Sequence, residues 1–290
     1  RPTSQWQSIA AVKADGKTPL TLSAEQKEAF KSGFNAVGKE RDTYEGTIKW
    51  TYDIAASDVQ FLSKDATVTA VFTVSIEDGN GGTASRDVTI TATGTNSGIN
   101  LTSGEVTGSI TEGENHHAAG ELTFSDPDTA DRPTADASIK SVTEVTKDGT
   151  AVFSLTDTQK QSLTEGFSVV AADGNDNEGT IHWDYTAVEA ALNVLGADET
   201  VTAVFTITVD DNRGDTKSRD VTIRIHGAND APVITGQELE ATLIEDEQLT
   251  DTGSFSFADP DQTDRPAVSF TLNSASAVKP DGSTPLDLTV

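Results

Sequence analysis

The chain has 290 residues, enough for about two domains of ordinary size, and its 35% hydrophobic content supports folded cores rather than disorder. Its 47 acidic residues against 20 basic ones give a net charge of -27, so the chain repels nucleic acid and anionic lipid surfaces and attracts divalent cations. The sequence has no Cys, which excludes disulfide bonds and thiolate metal sites. It shows neither a signal-like segment nor an apolar run of about 18 residues, so we expect no membrane insertion here, and any targeting element to lie outside this segment.

One unit is repeated along the chain. The heptapeptide TVTAVFT begins at Thr67 and again 133 residues later at Thr200, and the motifs EGTI, SRDVTI, DPD and DG recur with the same spacing. A constant spacing over a whole unit indicates structural repeats. We therefore predict a truncated first repeat over residues 1–97, a complete repeat over 98–230 and the opening part of a third over 231–290.

Short helical turns are predicted at two places in the unit. The stretches SAEQ at Ser23–Gln26 and TDTQ at Thr156–Gln159 have capping-box spacing, which marks the start of a helix. Ala187–Leu195 is long enough for two helical turns before Gly196 stops it. None of these segments is long enough to change the fold class.

Strands with one apolar face dominate the rest of the unit. The pattern GTI-x-W-x-Y alternates, and so does the longer strand in which Val68, Ala70 and Phe72 point one way while the threonines between them point the other. Such half-buried strands are stable only when a second sheet covers the apolar face. The sequence therefore predicts an all-β fold of tandem, Ig-like or cadherin-like Greek-key β-sandwiches with short helical turns.

Four acidic clusters recur at fixed places in the unit. They are the ITEGE or LIEDE segment, the DPD corner, the turn written IEDGNGG or VDDNRGD, and the repeat boundary GTNSGI or GANDAPVI. Proline between the two Asp residues of the DPD corner restricts the backbone, so its carboxylates lose less entropy on binding. The predicted metal ligands are Asp78, Asn96, Glu112, Asp126, Asp128, Asp210, Asp211, Asn229, Asp230, Glu245, Asp259 and Asp261.

Any one of these clusters alone is best interpreted as a solvated turn, because Asp, Asn, Gly and Pro are the usual turn residues. Four clusters in register favour metal binding instead, since neighbouring carboxylates repel one another unless a cation neutralises them. Calcium prefers six to eight hard oxygen ligands from separate loops, so we predict Ca²⁺. Neither turn fits the spacing of an EF-hand loop or of the glycine-rich nonapeptides of a calcium β-roll.

The boundary motifs GTNSGI and GANDAPVI, the stretch TVTAVFTITVDDNRGD followed by RDVTI, and the segment GELTFSDPD resemble the VCBS repeats of giant RTX-type bacterial surface adhesins. Those repeats are relatives of cadherin-like and immunoglobulin-like sandwiches. The resemblance covers essentially the whole chain. It implies extracellular, tandem, calcium-stiffened sandwiches of a secreted adhesin at the bacterial cell surface, which such systems use in adhesion and biofilm formation.

The resemblance also implies how the ligands are shared between neighbouring repeats. By likeness to cadherin junctions, the later junction would combine Asn229, Asp230, Glu112, Asp259 and Asp261. The earlier junction would combine Asn96, Asp126, Asp128 and either Asp210 or Asp211. Its boundary has Ser97 and Gly98 where the later one has Asp230 and Ala231, so we expect it to hold calcium more weakly or to bend.

No phosphate loop, nucleophile elbow or HExxH motif is present, and we predict that the chain is not an enzyme. The leading hypothesis is a structural extender whose partners are neighbouring repeats of the same chain; the adhesive target stays open. One alternative is a ligand- or glycan-binding adhesive module. Trp6 is its candidate contact, since Trp50 and Trp183 fall on the inward phase of a strand. The other alternative is a self-associating extracellular filament subunit.

Overall fold

The computed structural model describes residues 3–38, 45–102, 104–171, 176–237, 240–280 and 282–285. The first copy contains β1 (Thr3–Val12), α1 (Ala24–Ser32), β2 (Phe34–Gly38), β3 (Ile48–Tyr52), a 3-10 turn (Ala56–Asp58), β4 (Thr67–Glu77) and β5 (Thr83–Thr93). The complete copy contains β6 (Asn100–Leu101), β7 (Thr107–Thr111), β8 (His117–Ser125), β9 (Thr134–Val142), β10 (Val145–Lys147), β11 (Thr150–Phe153), α2 (Asp157–Thr164), β12 (Phe167–Ala171), β13 (Glu178–Thr186), α3 (Glu189–Leu192), β14 (Glu199–Asp210) and β15 (Thr216–His226). The third copy contains β16 (Val233–Gln237) and β17 (Phe255–Ala258). The helix α3 is a single turn, shorter than the two turns predicted.

The strands of the complete copy form two sheets. One sheet has the order β11-β10-β14-β15-β7, with β9 also paired to β14, and the other has the order β12-β13-β8-β6. The pairing of β7 with β15 is parallel, whereas β14 pairs with both β15 and β9 in antiparallel register. With β6 and β7 taken as one first strand that changes sheet, this is the strand order of an immunoglobulin-like sandwich. The predicted all-β Greek-key fold is confirmed.

The alternating sequence explains the core between the two sheets. Along β14 every second side chain from Val201 onward is buried, and the intervening side chains are partly exposed. Trp183 and Tyr185 of β13 face this strand from the other sheet and are at most 1% exposed. Phe167 of β12 stacks on Phe205 of β14, with their ring centroids 4.0 Å apart. Each apolar face is thus buried by the other, as a sandwich requires.

The segment between β9 and β12, which we call the insertion, forms the hairpin of β10 and β11 and the helix α2. Thr156 caps α2 through the predicted capping box, in which its hydroxyl accepts from the amide of Gln159. Val145 and Leu163 of the insertion are fully buried in the core of the sandwich. The hydroxyl of Tyr185 donates to the carbonyl of Leu163 at 2.6 Å, so the insertion is anchored to the second sheet.

Trp50 and Trp183 occupy equivalent strand positions but differ in burial. Trp183 is 1% exposed because β8 covers it, and its indole N–H donates to the carbonyl of Glu105 at 2.7 Å. Trp50 is 49% exposed, because the described residues of the first copy include no counterpart of β6, β7 and β8 to cover it. The prediction that both tryptophans are core residues is wrong for Trp50. Trp6 is half-buried against Phe72, with their ring centroids 5.4 Å apart.

The first and third copies are smaller sets of strands. The first copy contributes the sheet β1-β4-β5 and the pair β2-β3, and the third contributes the pair β16-β17. Every sheet draws its strands from one predicted copy. None of the helices in the described part of the chain has the length and apolar composition that crossing a bilayer requires.

Candidate metal centres between successive copies

The DPD corner of the complete copy gathers three buried carboxylates. Asp126 follows directly on β8, and its Oδ1 accepts a hydrogen bond of 2.9 Å from the amide of Asp128. The amide of Asp131 donates to the carbonyl of Asp128, also at 2.9 Å. These bonds fold the corner so that oxygen atoms of the three side chains lie within 4.8 Å of one another. All three residues are at most 2% exposed.

The linker from the first copy and the turn after β14 meet this corner. Oδ1 of Asp211 accepts three backbone amides of its own turn at 2.7–3.0 Å, which fixes the carboxylate. Asn96 of the linker donates through Nδ2 to Oδ2 of Asp211 at 2.7 Å, and the amide of Ser97 donates to Oδ2 of Asp128 at 2.9 Å. We call this meeting point the first junction. It comprises Asn96, Ser97, Asp126, Asp128, Asp131 and Asp211.

Buried oxygen atoms at the first junction lack a hydrogen-bond donor among the described residues. They are Oδ1 of Asn96, Oδ2 of Asp126, Oδ1 of Asp128 and both carboxylate oxygens of Asp131. The Nε of Arg213 lies 3.5 Å from Oδ1 of Asp131, which makes an ion pair without a hydrogen bond. Burying a polar oxygen without a partner costs free energy, and burying a charged one costs more. Apart from Oδ1 of Asp131, which has Arg213 as its ion-pair partner, these atoms lack the partner that their burial demands.

The pKa shifts of the carboxylates at the first junction also indicate that these groups need a cation. Burial, together with the charges of the neighbouring carboxylates of Asp128 and Asp131, raises the pKa of Asp126 from 3.8 to about 6. Burial likewise raises the pKa of Asp128 and of Asp131. Burial alone would also raise the pKa of Asp211, but hydrogen bonds from Asn96 and from backbone amides outweigh it and lower that pKa. The chain therefore presents a fixed anion beside three carboxylates that are costly to ionise without a cation.

The donor set fits calcium. The unpartnered atoms are carboxylate and amide oxygens, which are the hard ligands that Ca²⁺ prefers, and they come from the linker and the DPD corner. The described residues near this corner include no His or Cys ligand of the kind that zinc or copper sites use. The side chains of Asn96, Asp126, Asp128 and Asp131 would hold the ion.

A second junction with the same backbone geometry lies between the complete copy and the third. Oxygen atoms of Asp259, Asp261 and Asp264 lie within 4.8 Å of one another. The amide of Asp230 in the linker donates to Oδ2 of Asp261 at 3.0 Å. Oδ1 of Asp261 and Oδ2 of Asp230 are buried without a donor among the described residues. A cation between these carboxylates would join the two copies here as well.

Glu112 approaches the second junction from the base of the complete copy. It is 4% exposed, and its Oε2 accepts from the amide of Ala228 at 2.8 Å. Burial raises its pKa, and the charges of Asp230, Glu189 and Asp261 raise it further. Asn229 turns its side chain to the carbonyl of Asp230. Glu112 therefore lies close enough to the linker and the DPD corner to interact electrostatically with Asp230 and Asp261.

Three of the predicted ligands lie elsewhere. Oδ1 of Asp210 accepts from the amide of Asn212 at 2.7 Å, and Asp211 rather than Asp210 faces the junction. Asp78, the counterpart of Asp211 in the first copy, is exposed and accepts from the amides of its own turn. Glu245, the counterpart of Glu112, is exposed beyond β16. Neither Asp78 nor Glu245 belongs to a cluster of three possible ligands within the described residues.

Asp131 and Asp264 are junction residues that the sequence analysis did not single out. Both are the last Asp of the segment DPDTADRP or DPDQTDRP, and they recur 133 residues apart like the other clusters. Their repetition in register was the available signal. Ser63 of the first copy is 2% exposed and lies beside Asp131, and no sequence pattern indicated it.

The chain is similar to solved structures of tandem extracellular domains. The crystal structure of human CDH23 EC21-23 is 12% identical with a TM-score of 0.34, and the match covers 90% of this chain and 74% of that chain. Protocadherin Gamma B2 extracellular cadherin domains 3-6 are 15% identical with a TM-score of 0.31, over 73% of this chain and 43% of that chain. The tandem Ig repeats of Dlar are 13% identical with a TM-score of 0.21, over 78% of this chain and 90% of that chain.

The chain thus spans less than half the length of the protocadherin chain that it matches. The identities and TM-scores are low, and the sandwich assignment rests on the strand order of the chain itself. No model of a known protein family matches the sequence, and neither does any curated protein.

Proposed function

We propose that the chain is a segment of an extracellular spacer, built from tandem β-sandwiches whose relative orientation is fixed by calcium at the junctions. The observation that carries this proposal is the set of buried, unpartnered oxygens contributed by the linker and the DPD corner at the first junction. A cation held there contacts the linker between two sandwiches and the second sandwich at once. It therefore stiffens the joint as well as neutralising the charge.

The size of the repulsion supports a role for the cation. Two ionised carboxylates within 4.8 Å repel one another by about 3 kcal/mol at an effective dielectric constant of ~20. The first junction holds three such groups, with Asp211 as a fourth beside them. Calcium binds the folded junction and not the unfolded chain, so calcium stabilises the fold by mass action. We expect a dissociation constant of roughly 0.1–1 mM, as in other extracellular calcium modules.

We further propose that the spacer belongs to a bacterial surface adhesin of the VCBS-repeat type and has no catalytic role. The support is the sequence resemblance carried by the boundary motifs and the DPD segments. The negative charge of -27 suits a calcium-rich extracellular medium, where divalent ions compensate it. The partners of each copy are then its neighbours along the same chain.

Small-angle scattering of the whole chain tests the proposal. We expect an extended particle with a well-defined maximum dimension in 2 mM CaCl₂ (roughly twice the upper end of the expected range), and a more flexible one in excess chelator. Magnesium at the same concentration should not restore the calcium shape, because it demands a smaller and near-octahedral set of ligands. A scattering profile that is identical with calcium and with chelator would contradict the proposal.

Self-association, the other alternative that the sequence leaves open, is tested in the same scattering experiment. A scattering-derived mass that rises with protein concentration in calcium would support this candidate, and a constant monomeric mass would remove it. Trp6, the aromatic residue on which the glycan-binding alternative depends, is half-buried on Phe72.

A further inference from the structure

Glu199 is a buried carboxylate that reaches across the second junction. It begins β14 in the complete copy and is 0% exposed. Its Oε2 accepts from the amide of Gly196 in its own copy at 3.0 Å. Its Oε1 accepts from the hydroxyl of Thr263 in the third copy at 2.5 Å. This is a direct side-chain contact between two copies, and it involves none of the DPD carboxylates.

The backbone around this contact has the same geometry at the first junction. The amide of Glu199 donates to the carbonyl of Gly196 at 3.1 Å, and the amide of Ala66 donates to the carbonyl of Ser63 at 2.9 Å. The amide of Gly227 donates to the carbonyl of Glu199 at 3.0 Å, matching a bond of 2.8 Å from Gly94 to Ala66. Ala66 is therefore the structural counterpart of Glu199, 133 residues earlier in the chain.

The side chains at these counterpart positions change together. Glu199 faces Thr263, whereas Ala66 at the first junction is matched with Ala130, the counterpart of Thr263. Both alanines line a cavity of about 370 Å³ whose other walls include Lys13, Ser63 and Arg213. The space that a hydrogen-bonded pair occupies at one junction is thus a cavity at the other.

Mixed pairs would be unfavourable. A glutamate facing an alanine would keep a buried carboxylate but lose a donor, and an alanine facing a threonine would leave a hydroxyl without its acceptor. Only matched pairs avoid an unpartnered polar group at this place. The residues at these two positions therefore restrict which copy can follow a given copy along the chain.

We propose that Glu199 and Thr263 form a metal-independent clasp, by which the complete copy selects a following copy that carries a hydroxyl donor at the position of Thr263. The clasp keeps the second junction coupled when calcium is absent. The first junction has alanines instead of this clasp, and a side-chain contact there is a weaker hydrogen bond of 3.3 Å from the hydroxyl of Thr129 to the carbonyl of Phe61. This inference goes beyond the calcium proposal, because the clasp acts in chelator.

Spin labels on the whole chain can test the clasp, because the sequence has no Cys to label by accident. Thr158→Cys in α2 and Ser254→Cys before β17 place two labels on exposed positions across the second junction. In excess chelator, Glu199→Ala and Thr263→Ala should each at least double the width of the distance distribution. The double variant should be no wider than either single variant, since both remove the same bond.

The controls separate a clasp from a purely local role of Glu199. Thr263→Ser keeps the hydroxyl and should keep the narrow distribution, and Gln262→Ala, at the exposed neighbouring position, should also leave it unchanged. A broadening by Glu199→Ala without any broadening by Thr263→Ala would overturn the clasp, because the carboxylate would then serve only Gly196. Widths that simply add in the double variant would overturn it as well.

Introducing the glutamate–threonine pair at the first junction tests whether the clasp can be created where it is absent. The spin labels are then placed at Lys27→Cys and Thr158→Cys. Ala66→Glu combined with Ala130→Thr should narrow the distance distribution in chelator, whereas Ala66→Glu alone should not. Equal distributions for the pair and for Ala66→Glu alone would contradict selection of a matched partner. Because these distances are measured in chelator, neither result depends on the calcium affinity of the first junction.

Discussion

The backbone amide of Ser97 donates a hydrogen bond of 2.9 Å to Oδ2 of Asp128, and so ties the linker of the first copy to the acidic corner of the complete copy. The counterpart bond at the second junction, from Asp230 to Asp261, measures 3.0 Å. The backbone at the two junctions is therefore alike, and the difference lies in the side chain. Asp230 adds a buried carboxylate oxygen, and Ser97 cannot.

Ser97→Asp should strengthen calcium binding at the first junction. The substitution removes the hydrogen bond from the Ser97 hydroxyl to Asp128 but keeps the backbone bond of 2.9 Å, which holds the linker in place. An added charged ligand should raise the calcium affinity by on the order of tenfold. Isothermal titration in parallel with Asp230→Ser, which should weaken the second junction, checks both directions. An unchanged affinity in both variants would mean that this linker position does not ligate.

Asp211→Asn and Asp210→Asn form a matched pair, because they change neighbouring residues of one turn. Asp211 holds Asn96 of the linker at 2.7 Å, whereas Asp210 accepts only from its own turn. We expect Asp211→Asn to lower calcium affinity by on the order of tenfold or more, and Asp210→Asn to change it less than twofold. Calcium titration of thermal stability measures both. Equal losses would show that overall charge, and not geometry, governs binding.

Stability should depend on pH in opposite ways with and without calcium. In the calcium-free chain the raised pKa of Asp126 means that its protonated form favours the fold. This contribution is fully present below pH 3.8 and is lost as the pH rises through about 6. The melting temperature in chelator should therefore fall between these pH values.

In saturating calcium the trend should reverse, because the ion binds the ionised carboxylates and competes with protons. Asp126→Asn should flatten both curves, since it removes the group whose pKa is displaced furthest in this range. The exposed residue Asp136 provides a control, and Asp136→Asn should leave both curves in place. A calcium-free melting temperature that rises over this pH range would contradict the assignment.

Gly120→Ala should destabilise the complete copy by about 2 kcal/mol or more, as overpacking of a core does. A Cβ at Gly120 would lie 2.5 Å from the indole ring of Trp183, which is itself 1% exposed and has no room to move. Gly46→Ala is the control, since a Cβ there meets nothing within 4 Å. Urea denaturation in calcium measures both variants. A loss for Gly120→Ala no larger than that for Gly46→Ala would contradict the packing of Trp183.

The fold was largely predictable from the sequence, because the period-two alternation of the strands and the repetition of the unit can both be read directly from the residues. The strand β14 buries alternate side chains from Val201 onward as its pattern indicates, and the capping box at Thr156 starts a helix. Trp50 shows the limit of such reasoning. Its strand has the inward phase, but burial also requires a covering strand, and an alternating pattern carries no information about that partner.

The site was predictable to a smaller extent. Repetition in register marked Asp126, Asp128 and the linker, but the choice of Asp211 over Asp210 depends on how the turn after β14 folds. The corner folds Asp131 inward to 1% exposure, and this burial depends on the conformation of the corner rather than on residue type. The contact between Glu199 and Thr263 joins residues 64 positions apart in two copies, which no local pattern reveals.

A crystal structure of the chain grown in calcium, with anomalous scattering used to locate the ion, would show whether a cation lies between the linker and the DPD corner. We expect an anomalous peak at the first junction, about 2.3–2.6 Å from Oδ1 of Asp128 and from Oδ1 of Asn96, as calcium–oxygen bonds require. Carboxylates turned to solvent, with no peak between the linker and the DPD corner, would contradict the calcium proposal.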